Sequence, residues 1–432
     1  MRRRIRGLVL ASLLVPSMAT SATESSGSIV FGLHLHRAVP GPAAKSTTVW
    51  PSVQFDSWRL WDAGVAWPSI EPAEGQWDFA RLDAEVALAE KAKVDVLMTM
   101  ALCPKWAARR ADEPSSYQLG NASPPRDISD WAAYASTVAS RYRRRIRAYE
   151  ILNEPDLPGF FTGNVADAVA MVREAALAIR SADSTALIVG PAISGPHGVK
   201  WLEDFLDAGG GKYLDVVSIH GYMGQRQPPE SALDLYEGVR ESLQRHGLGA
   251  LPIWNTEVGW QITNRIGIPA GGDTAPAPAE GALSAQTAGE FVARTYLAAF
   301  GAGVGRVYWY AWDNYRMGLV EPDGRTPKSA AAAYGVVYSW LLGASSAMLR
   351  PSGPNGYELE VNYRSGERAL FLWNLAGERR VVPTAEWASA LISDLNGGRR
   401  SLTAEERTTG IRVGSSPVML RVAGAAGPTH RG

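Results

Sequence analysis

Eight short apolar stretches, each followed by a longer segment of helical spacing or a loop, run through residues 28 to 342, and no other feature limits the fold so strongly. The candidate strands are 29–36 (IVFGLHLH), 57–62 (SWRLWD), 94–100 (VDVLMTM), 146–153 (IRAYEILN), 186–193 (ALIVGPAI), 214–222 (LDVVSIHGY), 251–258 (LPIWNTEV) and 306–314 (RVYWYAWDN). Between them, DFARLDAEVALAEKAK and VADAVAMVREAALAIRSA repeat apolar residues at helical spacing, and DISDWAAYASTVASRYRRR opens with Asp127 and Ser129 as candidate caps. Eight strands alternating with helices is the count of an α/β fold of the (β/α)8 TIM barrel type. The alternative is an open doubly wound sheet, but no glycine-rich dinucleotide fingerprint opens the first helix to support it.

After KSAAAAYGVVYSWLLGA the texture changes. YELEVNYR, RALFLWNL, RRVVPTA and GIRVGSSPVMLRV are short and alternating, with Gly, Pro, Asn and Ser between them, as in a small C-terminal β-sandwich domain. The barrel is thus expected over 28–344, the sandwich over 345–424 and a tail over 425–432. At the other end, four arginines, an apolar run from Leu8 to Val15 and then small residues have the order of a signal peptide over residues 1–22. Cleavage near Ala19 or Ala22 would send the protein to the periplasm or the extracellular space; retention as an anchor is the alternative. No other run of about 18 apolar residues follows, so no membrane span is expected in the mature chain. Lys and Arg number 43 and Asp and Glu 43, which leaves no electrostatic reason for a nucleic-acid or acidic-membrane partner. The single cysteine, Cys103, excludes an intramolecular disulfide, so stability must come from the core. The 15 tryptophans suit sugar faces and cores alike.

The C-terminal strand ends of a parallel barrel share one mouth, so reading them in order gives the candidate site. They offer Arg59, then Asn153 and Glu154, then His220 and Tyr222, then Glu257, then Trp309 and Trp312. Two carboxylates at one mouth suit glycosidic bond cleavage: one protonates the departing oxygen, the other attacks the anomeric carbon or activates water. Structural alternatives stand beside these roles. Arg59 has Glu150 as another possible partner, in phase with Glu154 on its strand, and His220 has a satisfied core position. Trp309 and Trp312 are three apart and face opposite ways, which makes one a core candidate. Trp106, after the third strand, is a candidate pocket wall, and Asp156 reads as a loop residue. His34 and His36 share a phase but have no third ligand at suitable spacing, so neither metal nor cofactor is expected. The Gly/Pro/Ala-rich segment 267–284 reads as either a functional lid or a disordered loop.

YEILNEPD and IWNTEVGW resemble the acid/base and nucleophile strands of clan A glycoside hydrolases. The run RLWDAGVAWPSIEPAEGQWDFARLDAEVALAEKAKVDVLMTMALCPKWA resembles glycoside hydrolase family 39: Arg59, then Trp67 to Pro72, Gly75 to Asp78, and Pro104 to Trp106. YWYAWDN is similar to that family's eighth strand, and the resemblance covers residues 28 to 342. It implies a retaining enzyme with Glu154 as general acid/base and Glu257 as nucleophile. Asn153 would bind the sugar 2-hydroxyl, Arg59 and Tyr222 would hold Glu257 ionised, His220 would sit beside Glu154, and Trp309 would floor the reacting sugar's subsite. The family includes exo-acting xylosidases and iduronidases, and bacterial endo-acting enzymes on secreted exopolysaccharide. The export signal, the two-part layout and the aromatic richness favour the last, with an oligo- or polysaccharide substrate. An exo-acting xylosidase-like hydrolase, a transglycosylase using the same residues, and a non-catalytic carbohydrate-binding barrel are the alternatives. Segments 159–166 and 261–284 are candidates for closing one end of a cleft.

Overall fold

The computed structural model describes residues 23–40, 47–268 and 281–422. The expected signal peptide, the tail and most of segment 267–284 lie outside them. A short strand β1 (Thr23–Ser26) precedes eight parallel strands that close into a barrel in chain order: β2 (Val30–His34), β3 (Ser57–Leu60), β4 (Asp95–Met100), β5 (Ala148–Ile151), β6 (Leu187–Ser194), β7 (Val216–His220), β8 (Ile253–Val258) and β9 (Arg306–Trp309). Each lies within the stretch expected of it, apart from β6, which runs one residue further. The intervening helices are α1 (Trp67–Ile70), α2 (Ala80–Ala92), α3 (Ile128–Arg141), α4 (Val165–Ala182), α5 (Gly198–Asp207), α6 (Ala232–Arg245), α7 (Ala285–Gly301) and α8 (Ser329–Leu341). Asp127 caps α3 by accepting from the Ser129 amide, and Asn164 and Asp167 form a capping box on α4.

Strand alternation splits the side chains into two cores. Inward-facing Leu97, Ala148, Val189, Val216, Trp254 and Tyr308 fill the barrel floor. Gly32 is required there, because a Cβ would lie 2.2 Å from the Tyr308 ring. Outward-facing side chains pack under the helices, where Trp67 stacks on Tyr134 at 5.2 Å and the Trp131 indole donates to Met171 O.

The C-terminal region consists of β10 (Ala344–Pro351), β11 (Gly356–Tyr363), β12 (Arg368–Asn374), β13 (Arg379–Val381), β14 (Leu391–Ser393), β15 (Arg399–Ser401), α9 (Ala404–Thr409), β16 (Ile411–Val413) and β17 (Val418–Val422). Its halves are unequal: a seven-stranded antiparallel sheet in the order β1-β10-β11-β12-β17-β14-β15 and the two-stranded ribbon β13-β16. Leu372, Trp387, Ile392, Ile411, Val413 and Leu420 form their shared core. The sheet also packs on the barrel: a Cβ on Gly301 of α7 would lie 2.5 Å from Leu349, and the Trp373 indole donates to Glu230 at 2.7 Å. The sequence reading missed β1, which pairs with β10 from Thr23↔Leu349 to Ser26↔Ser346. Four polar residues joined by main-chain bonds leave no apolar alternation to read.

Candidate active site

The polypeptide leaves β5 through two residues at positive φ, Leu152 (73°) and Glu154 (44°). Non-glycine residues held there cost on the order of 1–3 kcal/mol each and persist only when their surroundings fix them. Two bonds do so: Leu152 N donates to Met100 O at 2.9 Å and Glu154 N to Ala192 O at 3.0 Å. The kink turns Asn153 and Glu154 into the mouth. Across the barrel, register slips between Ile219 and His220 set His220 opposite Glu257. Such irregularities re-aim side chains next to active sites.

Arg59 of β3 is the hub. Its guanidinium is fully buried; Nε donates to Glu150 Oε2, Nη1 to Glu257 Oε2 and Nη2 to Asn153 Oδ1, each at 2.7 Å. The Thr99 hydroxyl adds a 3.0 Å bond to Glu150 Oε2. Arg59 thus takes both expected partners at once: Glu150 holds one edge of the planar fork, and the rest reaches Glu257. Burial works against the charge on Arg59, but Glu150 and Glu257 outweigh it and raise the pKa above its ordinary value. With Oδ1 fixed, Asn153 keeps its amide NH2 as the donor end.

The two glutamates have different surroundings. Glu257 accepts from the Tyr222 hydroxyl at Oε1 (2.9 Å) and from Arg59 at Oε2. Burial pushes its carboxyl above the ordinary range, while His220 and Arg59 pull the other way. Glu154 Oε1 lies 2.8 Å from His220 Nδ1, and the other imidazole nitrogen lies 3.8 Å from Glu257 Oε2. One ring therefore reaches both carboxyls. Burial lowers the His220 pKa, but the two carboxylates outweigh it and the net shift is upward. Glu154 is only 9% exposed, less open than its place at the end of a strand suggests.

The expectation that Trp309 floors the reacting sugar's subsite is corrected. Tyr308 faces the floor, so Trp309 points outward; it is fully buried against Trp260, which packs on Phe291 of α7. The aromatic that faces the mouth from this strand end is Tyr310, whose ring lies 5.0 Å from those of both His34 and His36. Trp312 is also buried, with its amide donating to His34 O. Trp106 is half-buried: its indole donates to Glu71 O at 2.9 Å and its ring meets Trp67 edge-on. Glu71 in turn accepts from the Trp67 indole and the Gly75 amide, so the Trp-x-x-Ile-Glu-Pro motif ties its own loop together. Asp156 fastens the loop after β5 to Ser194 at the end of β6. Among the described residues no set of three His, Cys, Asp or Glu side chains is placed to hold a metal ion, and no helix is long and apolar enough to cross a membrane.

Besides Tyr310, the sequence reading missed Asp62 and Tyr117. Asp62, just past β3, accepts from the Tyr117 hydroxyl at Oδ1 (2.5 Å) and the Tyr310 hydroxyl at Oδ2 (2.7 Å). The WD dipeptide after Arg59 was the one available signal.

Residues 127–312 match the glycosyl hydrolase catalytic core. Residues 57–148, including Arg59 and Glu71, match the beta-galactosidase family. A beta-xylosidase of Geobacillus stearothermophilus is 27% identical over 176 residues, 35% of this chain and 35% of that enzyme. A beta-xylosidase of Caldicellulosiruptor saccharolyticus is 24% identical over 207 residues, 46% of this chain and 41% of that one. This chain thus spans well under half the length of these two relatives. In fold it is similar to a family 39 glycoside hydrolase from Bacteroides cellulosilyticus WH2, with TM-score 0.70 and 17% identity over 92% of this chain and 81% of that one. A family 39 beta-xylosidase from Caulobacter crescentus superposes with TM-score 0.57 and 15% identity over 91% and 99% of the two chains. The resemblance to clan A glycoside hydrolases thus holds at the level of motif and barrel.

Proposed function

We propose that the protein is a retaining β-glycosidase, with Glu154 as general acid/base and Glu257 as nucleophile. The observation that carries this reading is the shared set of supports, Arg59 and His220, linking two glutamates three strands apart. Both Glu257 oxygens are anchored, one by a phenol and one by a guanidinium. That suits a carboxylate that itself forms a bond better than one that must hold a loose water. In the first step Glu154 gives its proton to the glycosidic oxygen while Glu257 attacks the anomeric carbon; the C–O bond breaks and the aglycone leaves as an alcohol. In the second step Glu154, now a carboxylate, takes a proton from water, whose oxygen attacks the same carbon and frees Glu257. His220 at 2.8 Å is placed to steady Glu154 through both charge states. Asn153, held by Arg59, offers its amide to the sugar 2-hydroxyl.

In the finer reading the enzyme is exported and cuts a bacterial exopolysaccharide internally; the signal-like N-terminus, the two-part layout and the aromatic richness support it. The relatives named beta-xylosidases favour exo action on xylosides as the second reading. Glu154→Ala and Glu257→Ala should each lower turnover at least about 10³-fold. Azide should rescue Glu257→Ala and give a glycosyl azide of inverted configuration. Wild-type rates in both variants would refute the assignment. Chain length of the products separates the two modes, since an endo enzyme releases mixed oligosaccharides from the start and an exo enzyme only terminal units.

A further inference from the structure

Asp62 has unusual surroundings for a carboxylate. It is exposed and sits at positive φ (54°), and both its oxygens are held by neutral phenols. Among the described residues no Lys, Arg or His pairs with it, and the nearby Arg59 is committed to Glu150, Glu257 and Asn153. Those phenols come from different barrel loops, Tyr117 from the loop after β4 and Tyr310 from the end of β9. Such bracing fixes a carboxylate in place while leaving its charge uncompensated. The second lone pair on each oxygen stays available to a ligand's donors.

A cavity of about 420 Å³ opens beside it, lined by Trp61, Asp62, Val65, Pro68, Thr99 and Tyr117. That is within the range of small-ligand sites, and its lining mixes apolar side chains with polar ones, Ser69, Gln118 and Asn121 among them. It borders the scaffold of the reacting centre: the Thr99 hydroxyl on its edge donates to Glu150, the partner of Arg59. Trp61 and Tyr117 meet edge-on at 5.7 Å and form an aromatic wall. An aromatic wall with one fixed acceptor pair is the equipment for a sugar ring: CH faces against the wall, two adjacent hydroxyls on the carboxylate. Tyr310 also joins Asp62 to the mouth, and both lie within electrostatic reach of Glu257, which attacks on the glycone in the proposed mechanism.

We propose that Asp62, braced by Tyr117 and Tyr310, grips adjacent hydroxyls of a neutral sugar unit in a second subsite on the glycone side and turns uronic acids away. This rests on the glycosidase reading and adds to it a class of substrate: chains in which a neutral, unbranched sugar precedes the one being cleaved. Repulsion between Asp62 and a sugar carboxylate supplies the exclusion.

The test uses the whole protein and p-nitrophenyl β-glycosides in pairs, xyloside with xylobioside and glucoside with cellobioside, plus a cellobioside whose terminal glucose is replaced by glucuronic acid. Asp62→Asn keeps the size of the side chain and removes its charge. It should lower kcat/KM on the preferred disaccharide glycoside about 10- to 100-fold, mainly through KM, as expected for losing bonds to a charged acceptor. The matching monosaccharide glycoside should change less than about threefold. Activity on the disaccharide glycoside that carries the glucuronic acid should rise relative to its neutral counterpart, since that uronate occupies the second subsite. Tyr117→Phe, which removes one brace, should give the same pattern to a smaller degree. Equal losses on both members of a pair, or no loss on either, would overturn the subsite. If the wild type cleaves none of these substrates, the glycosidase reading is judged by Glu154→Ala and Glu257→Ala as above, and Asp62 by calorimetry with xylobiose and cellobiose. Weaker binding to Asp62→Asn than to wild type then supports the proposal; equal binding, or none to either protein, overturns it.

Discussion

Tyr308 and Tyr310 stand two residues apart at one strand end, yet they belong to different chemistries. Tyr308 lies in the barrel floor, packed over Gly32 with its hydroxyl on Ser57 at 2.8 Å. Tyr310 stands at the mouth, beside His34 and His36, with its hydroxyl on Asp62. The floor is a layer of packed apolar and aromatic side chains, with the Arg306–Asp95 pair at its edge. At the mouth Leu102, Leu152, Glu154 and Asp62 all adopt positive φ, and a buried cation is shared among several acceptors. Closing a barrel needs only one end to be well packed. The floor's packing offsets the strain and desolvation that the mouth requires, in keeping with the division of such barrels into a stability face and a working face.

That division can be broken by substitution. Arg59→Met should have the largest effect: it strands Glu150 and loosens Glu257, costing about 3–5 kcal/mol of stability by the cost of breaking a buried pair. It should also lower kcat/KM at least about 10³-fold, measured on protein shown to be folded by circular dichroism. Tyr308→Ala should cost a similar 3–5 kcal/mol in urea unfolding, as large-to-small core changes do, yet leave kcat within about twofold where the protein is folded. A matching collapse in kcat would mean that floor and mouth are not separable. Tyr222→Phe takes only one hydrogen bond from Glu257; kcat should fall about 10- to 100-fold while stability changes by about 1 kcal/mol.

The smallest effect lies outside both ends, on the helical ring. Glu85 of α2 is buried with Arg81 as partner at 3.1 Å, and burial raises its carboxyl to about 8, the arginine opposing only in part. Because the folded pKa lies above the unfolded one, the protonated form favours the fold, and stability is lost as pH climbs from near 4.5 through about 8. Glu85→Gln should therefore match wild type near pH 4.5 and be more stable by about 1–2 kcal/mol near pH 8.5, read by urea midpoints at the two pH values. A variant that is less stable at pH 8.5 would show that the pair with Arg81 outweighs burial.

Much of this was legible from local signals. Helical and strand periodicity is written in consecutive residues, so the eight units and the helices between them could be counted before any fold was known. Glu154, Glu257, Arg59, His220 and Tyr222 were legible because each ends or sits on a strand, and closure of the barrel brings such positions to one mouth. The choice between partners for Arg59 was not legible: only the tertiary placement of Glu150 and Glu257 on different strands lets one planar group serve both. Parity at the last strand was likewise decided in space, since Tyr308 fills the floor and so turns Trp309 outward and Tyr310 to the mouth. The acceptor for the Trp106 indole was also decided in space, because the Glu71 carbonyl comes from another loop. Asp62 acquired its place only when phenols from two distant loops met it. The sequence alone determined which residues could gather at the mouth; which of them touch was decided by the closed barrel, because contacts across strands depend on register and loop path rather than on the order of neighbours along the chain.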